Sequence, residues 1–213
     1  MVSVLVVLAM STWDAGAHAS PERAAAVSST RCQGARRVPR PYGEAAELAR
    51  RLGMGDSKKV SKLLIGPPPK NWVAVAPKSS ARWTFPLERR KLLRGLGATR
   101  RKDGGQRTPH AGLDLGANEG DPIRAAQSGV VVYSDNGISG YGNLVMIVHA
   151  DASVALYGHC RSTFVFAGQK VKQRQLIAEV GHTGLAQGPH LHLEYRVRGV
   201  PKDPTRLFEP SGS

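Results

Sequence analysis

From Trp83 onward the chain is a series of short apolar runs broken by Gly, Pro and Asn, and nothing between the runs keeps a helical period. Residues 129–134, 143–149, 154–157, 176–180 and 190–197 are strand-length segments rich in Val, Ile, Leu and Tyr. A parallel sheet needs a crossover of a dozen or more residues between strands, usually a helix. Without one, βαβ units are excluded and a mainly β, antiparallel domain is expected over residues 83–208. A chain of 213 residues can hold one such core and a smaller appendage.

The appendage precedes the β-rich part. Ala45, Leu48, Ala49 and Leu52 recur at helical spacing, with Gly53 placed to cap the end. Asp56 or Ser57 can start a second helix carrying Val60, Leu63 and Leu64, which stops at Gly66-Pro67. The organisation expected is a small helical hairpin at 44–66, a linker at 20–43, a Pro-rich connector at 67–82 and a tail at 209–213. The apolar run at 2–10 is too short to span a bilayer. Followed by Ala17-His18-Ala19, it reads as a signal peptide over 1–19, although its start carries no Lys or Arg. A secreted protein, periplasmic or extracellular in the cell envelope, is expected, with no transmembrane segment and no lipid anchor. Cys32 and Cys160 fit no CxxC pattern, and sequence leaves open whether they join.

Thirty Lys and Arg against sixteen Asp and Glu give a net charge of +14. Such a charge favours anionic partners, whether nucleic acid, acidic lipid or the anionic wall polymers of a bacterial envelope, and does not by itself choose among them. Neither zinc-finger spacing nor an RNP-like aromatic motif is present, so no specific nucleic-acid partner is expected. The bases are densest at Arg89-Arg90-Lys91, Arg94, Arg100-Arg101-Lys102 and Arg107, forming either a docking patch or a solvated surface.

Chemistry concentrates in three places: His110-Ala-Gly-Leu-Asp114, Tyr157-Gly-His159 and His190-Leu-His192. His110 and Asp114 would stand about 13 Å apart on a straight strand, too far to share a metal. Gly112 between them allows a bend and a close backbone approach. His190 and His192 share one strand face about 7 Å apart, so that one can ligate while the other leans over an open coordination position. Two imidazoles, a carboxylate and a vacant fourth corner form the donor set of a catalytic zinc, which activates water and polarises a carbonyl. His149 and His182 stand outside these motifs, His149 at a strand end and His182 in a Gly-His-Thr-Gly turn.

In order along the chain stand His110-Ala-Gly-Leu-Asp114, Gly120-Asp-Pro-Ile-Arg-Ala125 with Gly129-Val-Val131, Gly140-Tyr-Gly-Asn143, Tyr157-Gly-His159, Val180-Gly-His-Thr-Gly184 and Gly188-Pro-His-Leu-His-Leu-Glu194. Residues 83–208 thereby resemble the lysostaphin/LytM-type zinc metalloendopeptidases, which cut peptide bonds in bacterial peptidoglycan. The resemblance implies a zinc ion on His110, Asp114 and His192, and His190 as base toward zinc-bound water. His159 would stabilise the oxyanion or assist proton transfer. Tyr141, Asn143 and Tyr157 are the implied substrate-binding residues, though Tyr157 can equally orient His159 or pack in the core. Glu194 is either a partner of a ligating histidine or a structural residue. The implied function is hydrolysis of stem or cross-link peptides by a monomer. The alternative is a non-catalytic envelope module that activates a cell-wall amidase. Ala152, Ala155 and Arg174 depart from the family pattern, and the turn at Arg174, where Gly is common, is expected to differ in type. Residues 20–80 could cover the groove until displaced.

Overall fold

The computed structural model describes residue 39 and residues 41–101 and 107–208. The expected signal peptide, almost all of the linker, Cys32, Lys102 and the tail lie outside the described residues, and so do the side chains of Arg100, Arg101 and Arg107. Among the described residues three short helices come first: α1 (Gly43–Leu52), α2 (Ser57–Val60), which continues as a 3₁₀ turn (Ser61–Leu64), and α3 (Lys70–Val75). Gly53 ends α1 in the left-handed conformation at φ 68°. Asp56 caps α2 by accepting from the backbone N–H groups of Lys58 and Lys59. The stretch read as a connector is therefore helical in part. Trp72 of α3 is buried and donates from its indole nitrogen to the Leu52 carbonyl at 3.0 Å, so this aromatic, overlooked after three prolines, ties α3 to the end of α1.

The strands are β1 (Leu92–Arg94), β2 (Thr99–Arg101), β3 (Arg107–Pro109), β4 (Leu113–Gly116), β5 (Pro122–Arg124), β6 (Gly129–Asp135), β7 (Asn143–Val148), β8 (Ser153–Thr163), β9 (Lys170–Val171), β10 (Leu176–Val180), β11 (His190–Val197) and β12 (Val200–Lys202). A last helical turn, α4, spans Thr205–Phe208. Ten strands form one sheet along the path β1-β4-β11-β8-β7-β6-β9, with β12 on β11 and β10 pairing β5 and β8, while β2 and β3 make a separate hairpin. Every pairing is antiparallel, and the mainly β fold expected from the pattern is the fold found.

Both faces of the central strands are covered, which is why they read as nearly continuous apolar runs. Val131, Val145, Ile147, Ala155, Leu191 and Leu193 point to one face and pack with Ile123, Ile177 and Val180 of the β5–β10 layer. Val130, Val132, Leu144, Met146, Val148 and Leu156 point to the other and pack beneath Ala49, Val60, Leu63 and Trp72 of the helices. Successive residues of a strand alternate between faces. On β11, with Leu191 and Leu193 in the first core, His190, His192, Glu194 and Arg196 therefore stand on the helical side.

Strand β8 changes partners along its length. Residues 153–158 pair with β11, whereas 160–163 pair with β10. The break falls at His159, which is left-handed at φ 63° and donates its N–H to the Tyr141 carbonyl. Tyr157 and Cys160 both face the first core as a result, and His159 is turned out of it. Cys160 is a buried thiol with no disulfide partner among the described residues, and its Sγ–H reaches the Tyr157 carbonyl.

Arg174 corrects one expectation. It takes the left-handed conformation at φ 65°, as Ala152 does at 63°. The turn is thus the one a glycine would make, with the Arg174 N–H bonded to the Ala125 carbonyl and its own carbonyl accepting from Arg124.

Candidate metal centre

His110 sits in the bend before β4, while Asp114 and His192 lie opposite one another in the β4–β11 pairing. The bend works because residue 112 is glycine. A β-carbon there would stand 2.3 Å from the Leu193 carbonyl oxygen and 2.9 Å from Glu194 Cγ. Without it, His110 folds back until its Nε2 is 2.9 Å from Asp114 Oδ1. His192 Nδ1 lies 2.9 Å from the same oxygen and 3.1 Å from His110 Nε2.

Hydrogen bonds behind each ring decide which nitrogen faces the cluster, since a carbonyl or carboxylate oxygen can only accept. His110 Nδ1 donates to the Gly95 carbonyl at 2.9 Å, leaving Nε2 for the cluster. His192 Nε2 donates to Glu194 Oε1 at 3.0 Å, leaving Nδ1. Three acceptor atoms in mutual contact repel unless a proton or cation lies among them. The titration of the groups follows that logic. Burial opposes ionisation of Asp114, but hydrogen bonds and charge from His110 and His192 outweigh it and hold the carboxyl well below its usual range. Burial likewise lowers His192, yet Asp114 and Glu194 on either side raise it overall.

The donor set also fits a zinc ion on geometry. Bonds of 2.0–2.2 Å at tetrahedral angles put ligand atoms about 3.3 Å apart, so the three atoms need to part by only a few tenths of an ångström. Two imidazole nitrogens and a carboxylate oxygen match zinc's preferences. Among the described residues, this trio forms the group whose donors could hold a metal ion.

Beside it stand the other two histidines. His190 Nδ1 donates to the Gly188 carbonyl at 2.8 Å, and its Nε2 lies 3.6 Å from Asp114 Oδ1. His159 Nδ1 donates to the Thr183 carbonyl at 2.8 Å, and its ring centroid is 4.8 Å from that of His190. Burial, reinforced by neighbouring histidines, pushes His159 down to about 4, so it is neutral at pH 7. In each of these rings a backbone carbonyl thus holds Nδ1, and Nε2 is the nitrogen left over.

The proposed substrate contacts fare differently. Tyr157 is wholly buried among apolar side chains, and its hydroxyl accepts from the Ala126 N–H at 2.9 Å, so it does not line a groove. The left-handed kink at His159 removes it from the face expected for it. The Asn143 amide donates to the Cys160 and Arg161 carbonyls, each at 3.0 Å, pinning the kinked part of β8. Tyr141 is half-buried and donates to Glu194 Oε1 at 2.8 Å, which with burial raises its own pKa. His182 lies apart, paired with Glu119 at 3.3 Å on the surface.

Two arginines join the centre without any warning from the sequence. Arg94 Nε is 3.0 Å from Asp114 Oδ2, the oxygen turned away from the histidines. Arg196 Nε donates to Glu194 Oε2 at 2.5 Å. Nothing in a chain with thirty basic residues separates these two from the rest, because their partners are set by strand pairing.

Residues 108–204 match the model of Peptidase family M23. The DD-carboxypeptidase/endopeptidase Mpg of Neisseria meningitidis is 41% identical over 102 residues, 48% of this chain and 23% of that protein. The murein hydrolase activator NlpD of Escherichia coli is 36% identical over 126 residues, 59% of this chain and 31% of that one. A zinc-containing peptidase from Vibrio cholerae superposes with a TM-score of 0.55 at 30% identity, over 62% of this chain and 40% of that one. The chain spans under half the length of the curated relatives it matches. With the antiparallel fold and the order of its histidine motifs, the match places residues 108–204 in the LytM/lysostaphin-type family, peptidase family M23.

Proposed function

We propose that the protein is a zinc metalloendopeptidase of the bacterial envelope that hydrolyses peptide bonds in peptidoglycan stem or cross-link peptides. The observation carrying this reading is the convergence of His110 Nε2, Asp114 Oδ1 and His192 Nδ1, with the opposite nitrogen of each ring tied to an oxygen. When bound, zinc supplies Lewis-acid activation of water and of the scissile carbonyl. The chain's own groups do the rest. His190 Nε2, 3.6 Å from Asp114 Oδ1, is the nitrogen that takes the proton released as water attacks. His159, whose one N–H is held by Thr183, presents an acceptor rather than a donor, so proton transfer suits it better than oxyanion stabilisation. Arg94 on Asp114 Oδ2 leaves the carboxylate one oxygen with which to ligate.

The relative named as a murein hydrolase activator supports a second reading, in which the domain activates an amidase without cleaving anything itself. The complete donor set and both flanking imidazoles favour the first.

Mass spectrometry of fragments released from purified peptidoglycans, some with D-Ala–diaminopimelate cross-links and some with glycine bridges, tests both. New peptide ends and stoichiometric zinc are expected in the native protein. His110→Ala, Asp114→Ala and His192→Ala should each lose zinc and reduce cleavage at least a thousandfold, the order expected when the activating metal goes. Full cleavage by metal-depleted His192→Ala would end the zinc mechanism. A metal-free native protein that leaves peptidoglycan intact but stimulates an amidase would establish the second.

A further inference from the structure

The helical segment lies outside the family-matched residues 108–204, yet a continuous line of buried polar contacts joins it to a ligand of the metal centre. The line starts at the Leu64 carbonyl, at the end of the 3₁₀ turn, which accepts from Arg196 Nη1 at 2.6 Å. The same Nη1 donates to the Gly199 carbonyl at 2.8 Å, and Arg196 Nε donates to Glu194 Oε2. Glu194 Oε1 in turn receives His192 Nε2 at 3.0 Å and the Tyr141 hydroxyl at 2.8 Å. Glu194 is fully buried and Arg196 nearly so. An isolated carboxylate in such a place is costly, and a buried charge persists where it is paired and hydrogen-bonded. Glu194 meets both conditions through Arg196.

We infer that Arg196 is a positioning residue for the metal centre, and that the helical segment, by holding Arg196 through the Leu64 carbonyl, is a structural part of that centre rather than a separate module. The reasoning rests on the zinc reading above and deepens it. His192 can offer Nδ1 to a metal only while Nε2 keeps the proton. Glu194 secures that tautomer, and the guanidinium fork fixes Glu194 at the required place. A lysine could supply charge there, but not the planar fork that reaches Glu194, Leu64 and Gly199 together. The junction has a second lock. Gly199, at φ 80°, lets the turn between β11 and β12 lie directly on residues 65 and 66, where a β-carbon would be 2.2 Å from the Gly66 nitrogen and 2.3 Å from the Ile65 carbonyl carbon. A methyl group at 199 must therefore push the backbone next to Leu64 away from Arg196, while leaving Arg196, Glu194 and His192 chemically intact.

Zinc affinity of the full chain, measured by competition with a chromogenic chelator, tests the inference. Partners that orient a ligating histidine contribute about 10- to 100-fold in metal affinity. Arg196→Lys and Gly199→Ala should each raise the zinc dissociation constant at least tenfold and shift the visible absorption of the cobalt(II)-substituted protein. Gly120→Ala is the control. It imposes similar backbone strain at φ 90°, with Arg161 Nη1 at 3.5 Å as the nearest atom to the new methyl group, and should leave affinity within twofold of the native value. Should Arg196→Lys fail to fold as judged by circular dichroism, Glu194→Gln takes its place, with the same tenfold loss expected. Affinities within twofold of native for both the Arg196 (or Glu194) variant and Gly199→Ala would overturn the inference. A loss confined to the Arg196 variant would overturn the part assigned to the helical segment. A native protein that binds no zinc would instead defeat the function proposed above, so the two failures are distinct.

Discussion

His149 shows how one side chain away from the metal centre couples stability to pH. It is fully buried at the end of β7, with Nδ1 bonded to the Ser128 carbonyl and the Trp83 ring edge-on at 4.6 Å. Its Nε2 has no hydrogen-bond partner among the described residues. Burial disfavours the imidazolium and lowers the pKa below the ordinary 6.5, outweighing the carbonyl of Ser128 and the charge of Asp151, which act the other way. In the unfolded chain the same ring protonates near 6.5. Below that pH the unfolded state binds the extra proton first, so the contribution of His149 is complete above about 6.5 and shrinks as pH falls toward the folded pKa. Urea unfolding of chelator-treated protein at several pH values should show stability declining between about pH 7 and pH 5, and His149→Gln should flatten that decline. Identical slopes for the two proteins would remove His149 as the cause. His159, lowered by the same burial, acts with the same sign and His192 with the opposite one, so the comparison between variant and native protein isolates residue 149.

Among the elements, the helical layer is held by side chains of one face. Ala49, Val60, Leu63 and Trp72 reach down to β6, β7 and β8, and Trp72 also closes the layer on itself through its bond to Leu52. Truncating a buried aromatic costs about 3–5 kcal/mol. Trp72→Ala should lower unfolding stability by that amount and weaken the near-ultraviolet circular dichroism of the packed layer; a loss below about 1 kcal/mol would show the helices to be only loosely attached. What could be read in advance follows the same physics. The strands at 129–135, 143–148, 176–180 and 190–197 were legible because two covered faces leave long apolar runs. The continuation of β8 from Tyr157 to Thr163 was not, because Gly158 and a left-handed His159 interrupt the period at the place where the strand changes partners. Three-residue strands such as β1 and β12 carry too little pattern to register. The meeting of His110, Asp114 and His192 could be anticipated because each sits in a motif with its own local reason to bend or alternate. Arg94 and Arg196 could not, since a basic residue acquires its carboxylate only when distant strands pair.

At the scale of the whole molecule, charge and site lie close together. Arg89, Arg90 and Lys91 are exposed just before β1, the Lys91 carbonyl accepts from the Gly116 N–H at 2.7 Å, and β1 ends at the Arg94 that faces Asp114. A basic run therefore leads along an edge of the sheet to the rim of the metal centre, in a chain of net charge +14. A flexible anionic wall polymer attracted to that run would be retained by long-range Coulomb attraction, which salt screens over about 10 Å at 0.1 M ionic strength. The hydrolysis proposed above would depend instead on short, buried contacts that salt hardly reaches. The two should separate by experiment. In co-sedimentation with purified cell walls, binding of the inactive His192→Ala protein should fall at least tenfold between about 50 mM and 500 mM NaCl, and replacing Arg89, Arg90 and Lys91 together by Glu should lower it at low salt to the high-salt level. The same triple variant should keep native zinc affinity and native turnover of a small uncharged peptide. Binding that ignores both salt and the triple substitution would mean that the wall is held through shape and hydrogen bonding at the groove, and that the surplus of basic residues keeps the protein soluble without guiding it to the wall.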